Sequence, residues 1–375
     1  MADRKGGGLR NVAVAESRIS SIDGEHGVLA YRGVDIHDLA RQAGFEETVF
    51  LLHEGTLPTR SALAALGERL AGERGLPAGV LDLLRRLPPS CHPMTTLRSV
   101  VSALGAFDPD ADDNSAVAIE RQSLRLVAQL AVVVAALERL RKGREPVAPD
   151  PSLGHAANFL YMLHAERPSA GAARAMDMAL VLHADHEFNA STFAARLAAS
   201  TLADLHGAIT AALATLKGPL HGGANEAVMR MLETIGVEER VAGFLDEAFA
   251  AKRKIMGFGH AVYRTEDPRA THLRPLARSL GEAQGETRWF RISERIETLV
   301  RERKGLFANV DFYSASAYRS LGIPTELFTP VFAVSRIAGW TAHVREQLAN
   351  NKLIRPEADY RGPREVKYIP LEARG

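Results

Sequence analysis

AVAIERQSLRLVAQLAVVVAALERLR, residues 116–141, repeats apolar side chains at spacings of three and four, the period of a helix with one buried face. The same spacing recurs over 61–69, 172–183, 193–216, 237–252, 289–303 and 330–347, so helices are expected there. Strand patterning is scarce. IDGEHGVLAY (Ile22–Tyr31) is the best candidate, a small N-terminal β-hairpin with a glycine turn. Pro and Gly punctuate the pattern at 87–90, 108–114, 143–152, 217–223 and 322–324, which read as loops or hinges. No repeat of 20 to 50 residues is visible, which argues against a solenoid. The expected class is mainly α.

Composition narrows the function classes. The chain has 375 residues, 46% of them hydrophobic, enough for one large or two modest domains. Its 46 basic and 45 acidic residues nearly cancel, and the short run Lys252–Lys254 is too small to imply nucleic acid. The longest apolar stretch, Leu130–Leu137, is far below the roughly 18 residues that span a bilayer. A lone cysteine, Cys91, excludes an intramolecular disulfide and fits a reducing, cytoplasmic location. Cys91 itself reads as a small buried hydrophobe rather than a nucleophile. The start, MADRKGGG, lacks an apolar run after its charges, so residues 1–8 are expected to be a disordered tail.

Three segments carry the chemistry: GPLHGGAN (218–225), GFGHAVYRTEDPR (257–269) and NVDFYSA (309–315). Each sets one titratable side chain among glycines, aromatics or small residues, where backbone can approach a ligand and the surroundings can tune a pKa. His221, His260 and Asp311 are the candidate catalytic set, two histidines and a carboxylate suited to moving protons at carbon. Each alone would read as an ordinary buried histidine or a helix-capping aspartate. HADHE (183–187) also invites a zinc reading, but its spacing is not that of HExxH and no third ligand is evident, so no metal is expected. Asn189–Ser191 is formally a glycosylation sequon, without a secretory signal to make it meaningful. The loop KIMGFGHAVYR (254–264) offers glycine-flanked backbone and positive charge but lacks the GxGxxG fingerprint and a preceding strand.

Taken in order with LHADHEFNAST (182–192), SRISSIDGEHGVLAYRGVDIHDLA near the start and FAVSRIAGWTAHVREQ with IRPEADYRG near the end, these segments closely resemble the citrate synthase family. The resemblance spans nearly the whole chain. It implies a two-domain helical fold: a large domain from 9–222 and 323–375, the latter ending in a C-terminal arm, and a small domain inserted over 223–322. It implies a Claisen-type condensation of acetyl-CoA with oxaloacetate, the entry step of the tricarboxylic acid cycle, with coenzyme A thioester as substrate and no metal or redox cofactor. Asp311 would be the base, His221 the donor to the thioester oxygen, and His260 the donor to the ketone.

By the same resemblance His186, Arg269, Arg336 and Arg355 would bind the dicarboxylate, since guanidinium groups take carboxylates bidentately. Ile255, Met256, Gly257, Phe258, Gly259 and Arg264 would meet coenzyme A, and His183 would be structural. The expected partner is a second copy of the chain, with Arg355 reaching across the dimer. Longer bacterial members carry an extra N-terminal domain tied to NADH inhibition, which this chain is not expected to share. Propionyl-CoA in place of acetyl-CoA, giving 2-methylcitrate, is the alternative activity, one methylene away. A non-catalytic scaffold is the more distant one.

Overall fold

A computed structural model describes residues 12–374, so the tail expected over residues 1–8 lies outside the described residues. Strands β1 (Ser20–Asp23), β2 (Val28–Tyr31) and β3 (Val34–Asp35) form one antiparallel sheet in that order. Ser20 pairs with Tyr31, and Tyr31 with Val34. The expected hairpin is thus present and gains a third strand. Arg32 (φ 50°) and Gly33 (φ 84°) turn the chain back in two residues, the backbone that tight hairpins require.

Sixteen α-helices follow among the described residues. The first ten are α1 (Ile36–Gln42), α2 (Phe45–Glu54), α3 (Arg60–Gly72), α4 (Ala78–Arg86), α5 (Pro93–Gly105), α6 (Ala116–Arg141), α7 (His155–His164), α8 (Ala170–His183), α9 (Ala190–Ser200) and α10 (Leu205–Leu216). Then come α11 (Ala224–Ile235), α12 (Val241–Ala250), α13 (Ala270–Ala283), α14 (Arg288–Lys304), α15 (Val310–Ser320) and α16 (Phe328–Ala349). Helix α6 has the bounds read in the sequence, with the Ser115 hydroxyl accepting the Ala118 N–H at its start.

The single helix expected over 193–216 is instead two. Leu202 sits at φ 65° and the Asp204 carboxylate accepts the Gly207 N–H at 2.7 Å, starting α10 in a new direction. Because α9 and α10 pack on each other, the apolar period runs on through the corner and hides it. The pattern over 237–252 likewise opens with a 3-10 turn, Glu238–Arg240, before α12.

Helix α16 is buried on all sides along most of its length, as a central helix must be, and carries Arg336 and His343 into the interior. It packs against α2, α6, α8, α9 and α10. Gly339 makes the closest approach: its N–H meets the Ala184 carbonyl at 3.1 Å, and a Cβ there would overlap that oxygen and the Asp185 carboxylate. The end of α8, and with it HADHE, is thereby pinned to the core. Helices α11 to α15 pack largely on one another, α13 and α11 against α15, and α12 against α14. The chemistry-bearing segments all fall at helix ends facing this second group: after α8, between α10 and α11, between α12 and α13, and at the start of α15.

Candidate active site

The loop after α8 is held from two directions. The buried Tyr31 hydroxyl donates toward the Asp185 carbonyl (3.0 Å) and the Val181 carbonyl (3.2 Å), and accepts the Asp185 N–H (3.2 Å). The Asp185 carboxylate accepts from the Ser20 hydroxyl (2.5 Å) and faces His343 Nε2 of α16 at 3.3 Å. Burial alone would raise its pKa, but His343, Arg336 and the Ser20 hydroxyl hold it below the usual value. The next residue, His186, is buried with Nε2 3.2 Å from the Tyr263 hydroxyl, its ring edge-on to His260 at 5.2 Å between centroids. Desolvation, with Arg269 and His260 nearby, keeps its pKa well below the ordinary value, so it is neutral. His183 turns away: Nδ1 donates to the Ala179 carbonyl of its own helix at 2.8 Å, and its carbonyl accepts Arg336 Nε at 2.7 Å.

His260 presents a defined tautomer. Its Nδ1 accepts the backbone N–H groups of Val262 (3.0 Å) and Tyr263 (3.2 Å), so the proton of the neutral ring resides on Nε2. Burial, reinforced by Arg269, lowers its pKa to about 4. Two turns of chain later, Asp267 and Arg269 form a buried bidentate pair at 2.9 and 2.8 Å. Asp267 Oδ2 also accepts the Val310 N–H at 3.1 Å, tying this segment to the start of α15.

His221 is the mirror case. Its Nε2 accepts the Ser191 N–H (3.2 Å) and lies 2.8 Å from the Ser191 hydroxyl, which in turn accepts Trp340 Nε1–H at 3.1 Å. A backbone N–H can only donate, so the His221 proton resides on Nδ1. Ser191 is in the first turn of α9, capped by Asn189, and the positive end of that helix disfavours a second proton. The pKa is lowered to about 4, chiefly by burial and then by Arg336. The turn that carries it closes through Gly222, whose N–H bonds the Leu216 carbonyl at 2.9 Å where a side chain would collide with Leu216.

Asp311 lies in the first turn of α15, where its N–H donates to the Asn309 side chain at 3.1 Å. Among the described residues its carboxyl has no hydrogen-bond donor, and desolvation, with Asp267 adding to it, pushes its pKa up to about 7 against the pull of Arg269 and Arg336. A carboxyl with that pKa is a stronger base than an exposed one and still ionises near neutrality. Its proton sets a pH dependence. kcat/KM of the free enzyme should rise as pH increases through about 7, with no second limb from His221 or His260, which are neutral down to about pH 4. A rate profile over pH 5 to 9 checks this; a flat profile would remove Asp311 as the titrating base.

Arg336 of α16 is buried at 1% exposure, lies over the Phe332 ring and donates Nε to the His183 carbonyl. Among the described residues no carboxylate is within ion-pair distance of it, and desolvation lowers its pKa to about 10. Its charge bears on His186, His221 and Asp311 together. An enclosed guanidinium without a counter-ion is costly unless an anion arrives to meet it.

The other expected residues divide. Gly257 (φ 81°) and Gly259 (φ 77°) adopt backbone that favours glycine, and a Cβ on Gly257 would strike Phe312 and Val228. This loop is committed to the protein: Gly257 O accepts the Asn309 N–H, Gly259 N–H donates to Phe307 O, and Gly259 O accepts Asn309 Nδ2, all at 2.9 to 3.0 Å. It therefore couples the His260 segment to the Asp311 helix. Ile255 is buried, while Met256 and Phe258 are partly exposed against the core. Arg264 is exposed at the rim of a cavity of about 210 Å³ that His260, Tyr263 and Asn309 also line.

Arg355 is exposed in the C-terminal segment and is not brought to the other site residues of this chain. It lines a larger cavity, about 1230 Å³, between residues 12–18 and the C-terminal segment, away from the histidines and Asp311 of the cleft. Tyr31, Asp185, Ser191, Tyr263, Asp267, Asn309 and Trp340 support the site and were not singled out by sequence. All seven sit inside the motifs quoted above, which was the available signal.

Two neutral imidazoles, each with a fixed N–H, a carboxyl kept basic by desolvation and a guanidinium without a counter-ion among the described residues make a site suited to proton abstraction next to a carbonyl with stabilisation of the resulting oxyanion. The family model described as "Citrate synthase, C-terminal domain" matches residues 8–357. Citrate synthase 2 of Bacillus subtilis is 48% identical over 98% of both chains, and 2-methylcitrate synthase of Shewanella oneidensis is 42% identical over the whole of both. The crystal structure of the Thermoplasma acidophilum citrate synthase in ternary complex with carboxymethyl coenzyme A and oxaloacetate superposes with a TM-score of 0.91 at 34% identity, covering 97% of this chain and 98% of that one. By fold, by sequence along its length and by the chemistry its cleft assembles, the chain belongs to the citrate synthase family.

Proposed function

We propose that this chain condenses acetyl-CoA with oxaloacetate and water to give citrate and free coenzyme A. Asp311 takes a methyl proton of the acetyl group while His221 Nδ1–H stabilises the developing enolate oxygen. The enolic carbon attacks the oxaloacetate ketone, whose oxygen becomes an alkoxide met by His260 Nε2–H. Water then cleaves the thioester, releasing citrate and the coenzyme A thiol. Arg336 supplies the charge for a substrate carboxylate, with Nη1 of Arg269 left over from its pair with Asp267, and His186 adds a neutral contact. The observation that carries the reading is the buried Arg336 guanidinium, with no carboxylate in ion-pair distance among the described residues, whose charge reaches the neutral His186 and His221 and the basic Asp311.

The 2-methylcitrate reading is kept because a relative of that activity matches the full chain at 42% identity. One methylene is worth about 1–3 kcal/mol in a pocket, so the two acyl groups are separable by rate. Thiol release from acetyl-CoA and from propionyl-CoA, each with oxaloacetate, should favour acetyl-CoA in kcat/KM. A clear preference for propionyl-CoA would transfer the function to the alternative.

Residues 223–322 act as a small domain that closes on the rest through Gly222–Gly223 and Gly322–Pro324; the packing of α11 to α15 on one another and the left-handed φ of 72° at Gly322 support this. Closure excludes water until both substrates are held. The working unit is a homodimer in the cytoplasm. Exposed apolar residues along the C-terminal arm, among them Tyr360, Val366, Tyr368 and Ile369, support a second copy as their cover, and Arg355 on that arm then completes the neighbour's cleft. Among the described residues no helix is long and apolar enough to cross a membrane. Mixing inactive Arg355→Ala with inactive Asp311→Ala under subunit exchange should restore one working site per mixed dimer. Exchange without recovered activity would place Arg355 outside the neighbour's site.

A further inference from the structure

We propose that Gly24, in the turn between β1 and β2, is a positioning residue for His260: it holds the Val262 peptide so that His260 keeps its proton on Nε2. The hairpin touches the segments that carry His186 and His260. At one end Ser20 and Tyr31 hold Asp185, next to His186; at the other the Gly24 carbonyl accepts the Arg264 N–H at 2.8 Å. A Cβ on Gly24 would lie 2.5 Å from the Val262 carbonyl oxygen and 3.0 Å from its carbon, so the turn and the His260 loop meet at a distance only glycine permits. The N–H of that same Val262, with that of Tyr263, fills His260 Nδ1 and so dictates the tautomer. Displacing Val262 by a few tenths of an ångström loosens this N–H and lets the ring turn or exchange its proton. The backbone of Gly24 is not in the left-handed region, unlike that of Gly27 (φ 69°) and Gly33 (φ 84°), so alanine there carries no conformational strain of its own and acts through the contact alone.

This inference rests on the role given to His260 above, and its test is readable without that role. In the full-length Gly24→Ala protein, the two imidazole nitrogens of His260 are followed by ¹⁵N NMR after histidine labelling, with His260→Ala for assignment, beside steady-state kinetics and the denaturation midpoint. The Nε2–H tautomer should give way to a mixture. kcat should fall at least about tenfold, a part of the 10²–10³ that loss of an oxyanion donor costs, with the oxaloacetate KM moving far less. Gly33→Ala is the control, since it strains the same sheet at a position with no neighbour within 4 Å; it should lower the midpoint and leave the tautomer intact. An unchanged tautomer in Gly24→Ala would overturn the proposal, whatever the substrate, as would an equal tautomer shift in Gly33→Ala. A tautomer shift with kcat unchanged would overturn the catalytic role of His260 while leaving the contact.

Discussion

Asp311→Asn should lower kcat by about 10²–10⁴, the range for a general base, and leave the protein folded. The side chain caps nothing: it is the Asp311 N–H, retained in the variant, that bonds to Asn309. Stability should not fall either. The folded pKa of about 7 lies above the ordinary 3.8, so the folded state holds its proton more tightly, and ionising Asp311 becomes a cost as pH rises through that window. At pH 8 the asparagine variant, having no charge to bury, should melt no lower than the parent. Steady-state kinetics with a thermal melt at pH 6 and pH 8 check both parts; wild-type turnover would remove Asp311 from the mechanism.

Arg336→Met should dissociate function from stability in the same way. One hydrogen bond to a charged group is worth about 1.5–3 kcal/mol, and a bidentate contact with a carboxylate more, so the oxaloacetate KM should rise on the order of 10²-fold. The folded chain loses the bond from Nε to the His183 carbonyl and the guanidinium's contact with the Phe332 ring, and is relieved of a buried charge without a counter-ion. Its denaturation midpoint should stay level or rise. An unchanged KM would mean that the dicarboxylate is held elsewhere, Arg269 being the next candidate even though Asp267 already occupies two of its nitrogens.

How much of this was legible in the sequence depends on how local the cause is. Helix α6 was readable to the residue because its apolar period is written in the stretch itself. The corner between α9 and α10 was not, since two helices facing one core share a continuous apolar pattern; Asp204 was the local mark of the break. The third strand hung on Arg32 adopting a positive φ, which an arginine does not advertise. His221, His260 and Asp311 stood out by their glycine-rich and aromatic settings, but their states did not. The proton of His221 is placed by Ser191, thirty residues earlier, and the basicity of Asp311 comes from burial with Asp267 nearby, a property of the assembled site. The glycines of 257–259 also join the His260 loop to α15, a role that their own stretch of sequence does not show.

The division of labour between the two histidines is the central claim, and hydrogen–deuterium exchange of the acetyl-CoA methyl group tests it most directly. With malate in place of oxaloacetate the cleft is occupied but offers no ketone to attack, so enolisation is read alone. His221→Ala and Asp311→Asn should lose methyl exchange along with condensation, whereas His260→Ala should retain exchange and lose condensation. Equal exchange defects in the two histidine variants would contradict the account.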